Sequence, residues 1–201
     1  MPPFIVDLGH IWLRELEPTV TRYVLFATAV WFALWILLSP LLSARKIRDA
    51  SPPNGQLVKE FAFSLRSMLL FATASVGIAL LERAGAYRME AMAASWGPVW
   101  FVAALAITFV VHDAYFYWTH RMMHHPRVFR RLHLRHHRSN NPSPYSFDSG
   151  EAALMVAFFV VWPMIFPMAW GVNNLFMLIQ IVRNTFLHSG YELRPARADG
   201  R

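Results

Sequence analysis

The run YVLFATAVWFALWILLSPLLSA, Tyr23–Ala44, carries no charged residue. A helix needs about 20 predominantly apolar residues to cross the hydrocarbon core of a bilayer. The run therefore reads as a membrane span. Three more apolar stretches follow it. Phe61–Leu81 is interrupted only by Arg66, close enough to the end of the run to snorkel to the interface. Ala91–Val111 is uncharged, and its helix is expected to start at Pro98, a favourable first-turn position. Ala152–Val182 contains Pro163, Pro167 and Gly171. The chain has 201 residues, 56% of them hydrophobic and only 15% charged. A soluble domain of this size does not have the interior to bury so much apolar surface. Buried helices of a soluble protein would not require three separate runs of spanning length. The expected fold is all-α: an integral membrane bundle of about four transmembrane helices, with a histidine-rich cap on the cytoplasmic side.

The first run lies too far from the N-terminus, and is too long, to be a cleaved signal peptide. Before it, FIVDLGHIWLRELEP (Phe4–Pro18) mixes apolar and charged residues and reads as an interfacial segment anchored by Trp12. His10 is then an ordinary interfacial histidine. SPPNG, Ser51–Gly55, is a turn-rich loop. The chain has no cysteine, which excludes disulfides, iron–sulfur clusters and thiolate-ligated metals or haem.

The net charge of +7 is concentrated in loops. No acidic residue lies between Asp113 and Asp148, whereas Arg121, Arg127, Arg130, Arg131, Arg135 and Arg138 do. Such a loop is cytoplasmic by the positive-inside rule. Counting spans back, the loop with Arg45, Lys46 and Arg48 falls on the same side. The loop with Glu82, Arg83, Arg88 and Glu90 falls on the other, and its charges balance. The basic residues thus need no nucleic acid to explain them.

The basic loop also holds HRMMHHPRVFRRLHLRHH, His120–His137. His120 and His124 are four apart, one turn along one helical face and within reach of one metal ion. His133, His136 and His137 follow an i, i+3, i+4 pattern, again one face. A turn near Pro126 lets the second helix fold back on the first, so five imidazoles converge. His125 lies off the first face. Five histidines exceed one tetrahedral site and suggest two metals. Imidazole suits zinc, copper, iron and nickel alike, and spacing does not choose among them. On the preceding span Asp113 falls within about 20° of His120 and His124 around the helix axis, and Tyr117 is one turn before His120. Asp113 is expected to hold the free ring nitrogen of a ligand. His112 points elsewhere and ranks as an extra ligand at most.

At these residues the chain resembles the fatty acid hydroxylase/sterol desaturase superfamily, above all its bacterial sterol desaturase-like members and the C-5 sterol desaturases. HDAYFYWTHRMMHHPRVFRRLHLRHHRS is similar to that family's first two histidine boxes, and NTFLHSGYE (Asn184–Glu192) to its Asn-x-x-x-His-x-Gly-Tyr element. The resemblance implies a membrane-bound, non-haem di-iron oxidoreductase. Such an enzyme hydroxylates or desaturates a lipid with dioxygen and two external electrons. It implies metal ligation by His120, His124, His133, His136, His137 and His188. His112, Asp113, Tyr117, His125 and Asn184 stand next in line, as further ligands or as residues that steady a ligand ring. The electron donor is a separate protein, since no Gly-rich dinucleotide motif or haem-binding pattern is present. Sterol, hopanoid, carotenoid, fatty acyl and sphingoid substrates all stay open. The Ala/Arg-rich composition suggests a bacterial inner membrane.

His188 must return to the face that carries the other histidines. Ala152–Leu187 is short for two full crossings, so a helical hairpin broken near Gly171–Asn174 is expected. Gly190 permits a close turn after it. Two departures from the family pattern stand out. SPYSFDSGEA lacks the family's His-Pro before the glutamate, and no final His-x-x-His-His box occurs before Arg201. The expectation is one membrane-embedded domain, 1–201, that is C-terminally incomplete. The competing reading is a catalytically impaired relative with a structural or partner-binding role. A divalent-metal carrier fits less well, because ionisable residues at depth are confined to His112 and Asp113.

Overall fold

A computed structural model describes residues 3–48, 50–87, 93 and 95–192. Arg88 and Glu90 of the charge-balanced loop lie outside the described residues. The long helices are α1 (Pro3–Trp31), α2 (Asn54–Arg83) and α3 (Gly97–Met123). Two short helices follow, α4 (Pro126–Leu132) and α5 (Leu134–His137), then α6 (Ser149–Ile165) and α7 (Trp170–Leu187). Among the described residues the only strand-like pairing is an isolated bridge between Lys46 and Tyr191.

Among the described residues three stretches are long and apolar enough to cross a membrane: Asp7–Leu37, Asn54–Arg83 and Gly97–Met123. The fourth apolar run is divided into α6 and α7. The hairpin expected there is present, but its break is at Phe166–Ala169 and not at Gly171–Asn174. Phe166 precedes Pro167, whose ring disfavours helical geometry in the residue before it, and Phe166 is extended at φ −122, ψ 126. Gly171 instead sits inside α7, against the Phe101 ring. Pro98 falls in the first turn of α3, as the sequence suggests.

The interfacial segment Phe4–Pro18 is also revised. It is the first half of α1, continuous with the span and antiparallel to α2. Asp7 pairs with Arg83 at 2.7 Å, and Trp12 Nε1 donates to Thr73 Oγ1 at 3.2 Å. Further along, Tyr23 and Ala27 pack on Met68. α1 ends in a π-helical stretch, Phe32–Leu37, where the Leu38 N–H reaches Ala33 O at 2.8 Å. Pro40 follows and cannot donate to continue the helix.

A second aromatic core joins α3, α6 and α7 through Phe109, Phe158, Phe159 and Phe176. The outward face of α3 is apolar and bare: Val99, Val102 and Val110 are 82%, 66% and 72% exposed. In lipid such a face carries no penalty, whereas in water it would. Arg66 is engaged by the loop that leads into α6. It pairs with Asp148 at 3.3 Å, donates to Ser149 and lies over the Phe63 ring. Buried Glu60 fastens α2 to the loop after α5, accepting hydrogen bonds from Gln56 Nε2, Ser139 Oγ, and Ser143 N and Oγ.

The segment after α7 is clamped to the far end of α1. Trp35 Nε1 donates to Ser189 O at 2.8 Å, Ile47 N to Gly190 O at 3.1 Å, and Glu192 N to Arg45 O at 2.8 Å. Gly190 makes this turn at φ +79, and a Cβ there would lie 2.9 Å from Trp35 and 3.1 Å from Pro142 O. Left-handed backbone and a close approach both act against a side chain. Gly190→Ala is expected to lower stability by about 1–3 kcal/mol, read as a lower unfolding midpoint in detergent. The displaced clamp also loosens His188, two residues away.

Candidate metal centre

α3 delivers His120 near its last turn and His124 at its C-cap. The chain then turns through His125–Pro126 into α4. His133 sits at the α4–α5 junction, and α5 carries His136 and His137. His188 caps α7. Four separate chain segments thus meet at one end of the bundle.

The histidines form two groups. In the first, donor atoms of His120, His124 and His133 all lie within 4.8 Å of one another. His120 Nε2 and His124 Nε2 are 3.2 Å apart. Two nitrogens bound to one metal at about 2.1 Å lie roughly 3.0–3.4 Å apart, so this spacing suits a shared ion. The His137 ring adjoins this group, 4.6 Å from His133 and 4.9 Å from His124 between centroids. In the second group, donor atoms of His136, Glu151 and His188 lie within the same 4.8 Å limit. His133 and His136 stack at 5.1 Å and connect the two.

The donor set fits a metal. Buried polar atoms normally find partners, yet His120 Nδ1 and both ring nitrogens of His133 are buried without one. Burial, then the neighbouring imidazoles of His120, His137 and His124, hold the His133 ring down to about 4. Burial, followed by His188 and His133, brings His136 down to about 3. Both rings are therefore neutral at pH 7 and keep a lone pair for ligation. His188 Nδ1 lies 2.9 Å from the backbone carbonyl of Asn184. A donated N–H there leaves Nε2 free, the usual way a ligand ring is fixed.

Four of the other candidates lie elsewhere. Asp113 pairs with Arg183 at 2.7 Å, and its nearest imidazole is His112 at 3.8 Å. It shares a helical face with His120, but seven residues separate them by roughly 10 Å along the axis. Tyr117 is 56% exposed and its hydroxyl accepts from Arg121. His125 is exposed and caps α4 by accepting from Arg127 N at 3.4 Å. His112 is buried between Gln180 Nε2 at 2.8 Å and Met155 Sδ at 3.2 Å, outside both groups. Asn184 steadies His188 through its carbonyl rather than its side chain.

The sequence reading missed Glu151 as a member of the centre. Its side chain is 6% exposed, and one carboxylate faces three imidazoles. Its signal was a single acid at the head of a long apolar run.

A cavity partly open to the outside lies beside Glu151 among α1, α2, α3, α6 and α7. Met68, Phe71, Phe116, Met155, Phe159 and Ile181 give it an apolar wall, with His112 and Gln180 as a polar pair.

This combination defines a class: a membrane-embedded helical protein with a polyhistidine centre at one end and an apolar cavity beneath it. Residues 105–200 match the family model described as "Fatty acid hydroxylase". Human fatty acid hydroxylase domain-containing protein 2 is 26% identical over 98 residues, covering 47% of this chain and 29% of that protein. Mouse lathosterol oxidase is 26% identical over 121 residues, covering 57% and 40%. The Delta(7)-sterol 5(6)-desaturase erg3C of Aspergillus fumigatus is 28% identical over 169 residues, covering 73% and 52%. The matched segments thus span about a third to a half of these relatives. No solved structure matches. Residues 105–200 are thus similar to the fatty acid hydroxylase family, and the relatives that share this similarity include sterol desaturases.

The folded chain resists protonating His133 and His136, whereas the unfolded chain protonates both near 6.5. Between pH 6.5 and about 4 the unfolded state therefore binds more protons, and stability falls as pH falls. At pH 5 the loss is on the order of 2 kcal/mol per ring. Unfolding midpoints of chelator-treated protein at pH 7 and pH 5 test this. His136→Gln should reduce the difference.

Proposed function

We propose that the chain is an oxidoreductase that hydroxylates or desaturates a membrane lipid with dioxygen, its two histidine groups holding two iron ions. The observation that carries this reading is the convergence of imidazoles from four chain segments around Glu151, a residue that also lines the apolar cavity. His120, His124, His133 and His137 would hold one iron, and His136 and His188 the other. Iron bound there would supply dioxygen activation and oxidation of an unactivated C–H bond.

The chain's own residues do the rest. Phe71, Phe116 and Phe159 exclude water and seat the hydrocarbon, and His112 with Gln180 offers the wall's hydrogen-bonding pair to a polar group on the lipid. Hydroxylation converts R–H, O₂, two electrons and two protons into R–OH and water. Desaturation removes two hydrogens from adjacent carbons with the same electrons and protons, and yields two waters. The electrons come from a separate donor protein. Exposed Arg127, Arg130, Arg131 and Arg138 beside the centre give that donor a positive surface to meet. The lipid class is sterol-like or fatty acyl, as the names of the relatives suggest.

The test is metal content together with lipid analysis of membranes carrying the chain, supplied with a reductant and air. Wild type is expected to hold iron and give an oxygen-dependent lipid product. His120→Ala and His136→Ala should each lose most of both. Unchanged iron and product in both variants would remove these histidines from the centre and sink the reading.

The centre is on the cytoplasmic side in this proposal, because the basic loop that bears it follows the positive-inside rule. The chain has no cysteine to remove, so single cysteines can report sidedness directly. A cysteine at Arg48 or Ser139 should stay unlabelled by an impermeant thiol reagent outside intact cells and react after lysis. Labelling from outside would reverse the orientation.

A further inference from the structure

The carboxylate of Glu151 is turned toward one kind of atom. Its Oε1 lies 3.9 Å from Nδ1 of His120 and 3.9 Å from Nδ1 of His133, and its Oε2 lies 3.3 Å from Nδ1 of His136. These rings come from both histidine groups and from α3, the α4–α5 junction and α5. On His120 the other nitrogen, Nε2, is the atom that approaches His124 at 3.2 Å. His120 thus offers Nε2 to the metal position and Nδ1 to the carboxylate.

We propose that Glu151 is a positioning residue shared by both metal sites: it accepts the Nδ1–H of His120, His133 and His136, and so fixes all three rings with Nε2 free for metal. The proposal rests on the reading that the histidines hold metal. An ionised carboxylate has about four acceptor sites, enough for three N–H donors. Burying it without partners would be costly. Among the described residues no arginine or lysine reaches it, since the nearby Arg66 and Arg135 both pair with Asp148. The imidazole N–H groups are the partners left. They are also the groups in need of one, because His120 Nδ1 and His133 Nδ1 are buried and unsatisfied. Ring rotation of a few tenths of an ångström to one ångström closes the remaining gaps.

A residue of this kind acts on two sites at once. Losing it frees three rings to rotate or to change tautomer. A merely structural acid at a helix start would affect folding but not ring tautomers. Substitution of one carboxylate should therefore weaken both metal positions together.

The experiment uses zinc as a diamagnetic probe with the whole chain in detergent, with ¹⁵N-labelled histidine. Long-range ¹H–¹⁵N correlation reads the tautomer of each ring, with His120→Gln, His133→Gln and His136→Gln used for assignment. In zinc-loaded wild type, all three rings should carry the proton on Nδ1. Glu151→Gln should keep the helical fold and lower zinc affinity by about 10- to 100-fold, with at least one of the three rings altered. Glu151→Asp should recover part of that affinity. Zinc bound through Nδ1 of any of the three rings overturns the proposal. So does a Glu151→Gln protein with unchanged affinity and tautomers. If Glu151→Gln fails to fold, the wild-type tautomers decide alone. A wild-type chain that takes up no zinc, iron or other divalent metal would overturn the metal-site reading itself, and this inference with it.

Discussion

Gathering six imidazoles at one end of the bundle, with His133 fully buried among them, is the constraint on which the rest of the structure depends. Their lone pairs repel, their N–H groups want acceptors, and burial penalises every unsatisfied atom. His120, His124, His133, His136, His137 and His188 stay together only because rigid elements hold them. α3 fixes the first pair, Asp148 fixes the turn before α6 through Arg66 and Arg135, and the Trp35–Gly190 clamp fixes His188. Glu60, with four accepted hydrogen bonds, holds the intervening loop to α2. Each of these supports is polar, and each stands one step back from the histidines.

The same division explains the outer surface. The bare valines on α3 and the exposed leucines of α1 suit hydrocarbon, so the interior need not compete for them. The interior can then spend its polar groups at one end and leave an apolar cavity below. Gly150 shows how tight that end is. A Cβ there would fall 2.0 Å from Leu132 O, the backbone just before His133. A side chain at the start of α6 would push the histidine junction away from Glu151. The first turn of α6 and the second histidine box are therefore one packing unit, although residues 138–148 lie between them.

Much of this was legible in the sequence. The apolar runs gave the helices, because a span needs only length and composition. The i, i+3, i+4 spacings brought five histidines together, because local periodicity fixes which side chains share a face. Periodicity was misleading for Asp113 and Tyr117: sharing a face with His120 says nothing about axial distance, and Asp113 found Arg183 on α7 instead. Arg66 found Asp148 in the same way, a contact between residues 82 apart. The hairpin break moved to Phe166–Ala169 because Pro167 acts on the residue before it, whereas Gly171 only allows helices to approach.

Glu151 was missed for a physical reason that extends beyond this chain. A histidine box announces itself by repetition, since several ligands must share a face. The acceptor that orients those ligands is one residue, on another element, with no periodic partner. Its only local mark is a charge where the chain turns apolar. An acid at that point must lie at the membrane surface, pair with a base, or meet buried donors. Arg66 and Arg135 are already engaged by Asp148, three residues earlier, which leaves the buried imidazoles as the donors. Reading which acid already has its cation is thus what separates a surface glutamate from one that belongs to the centre.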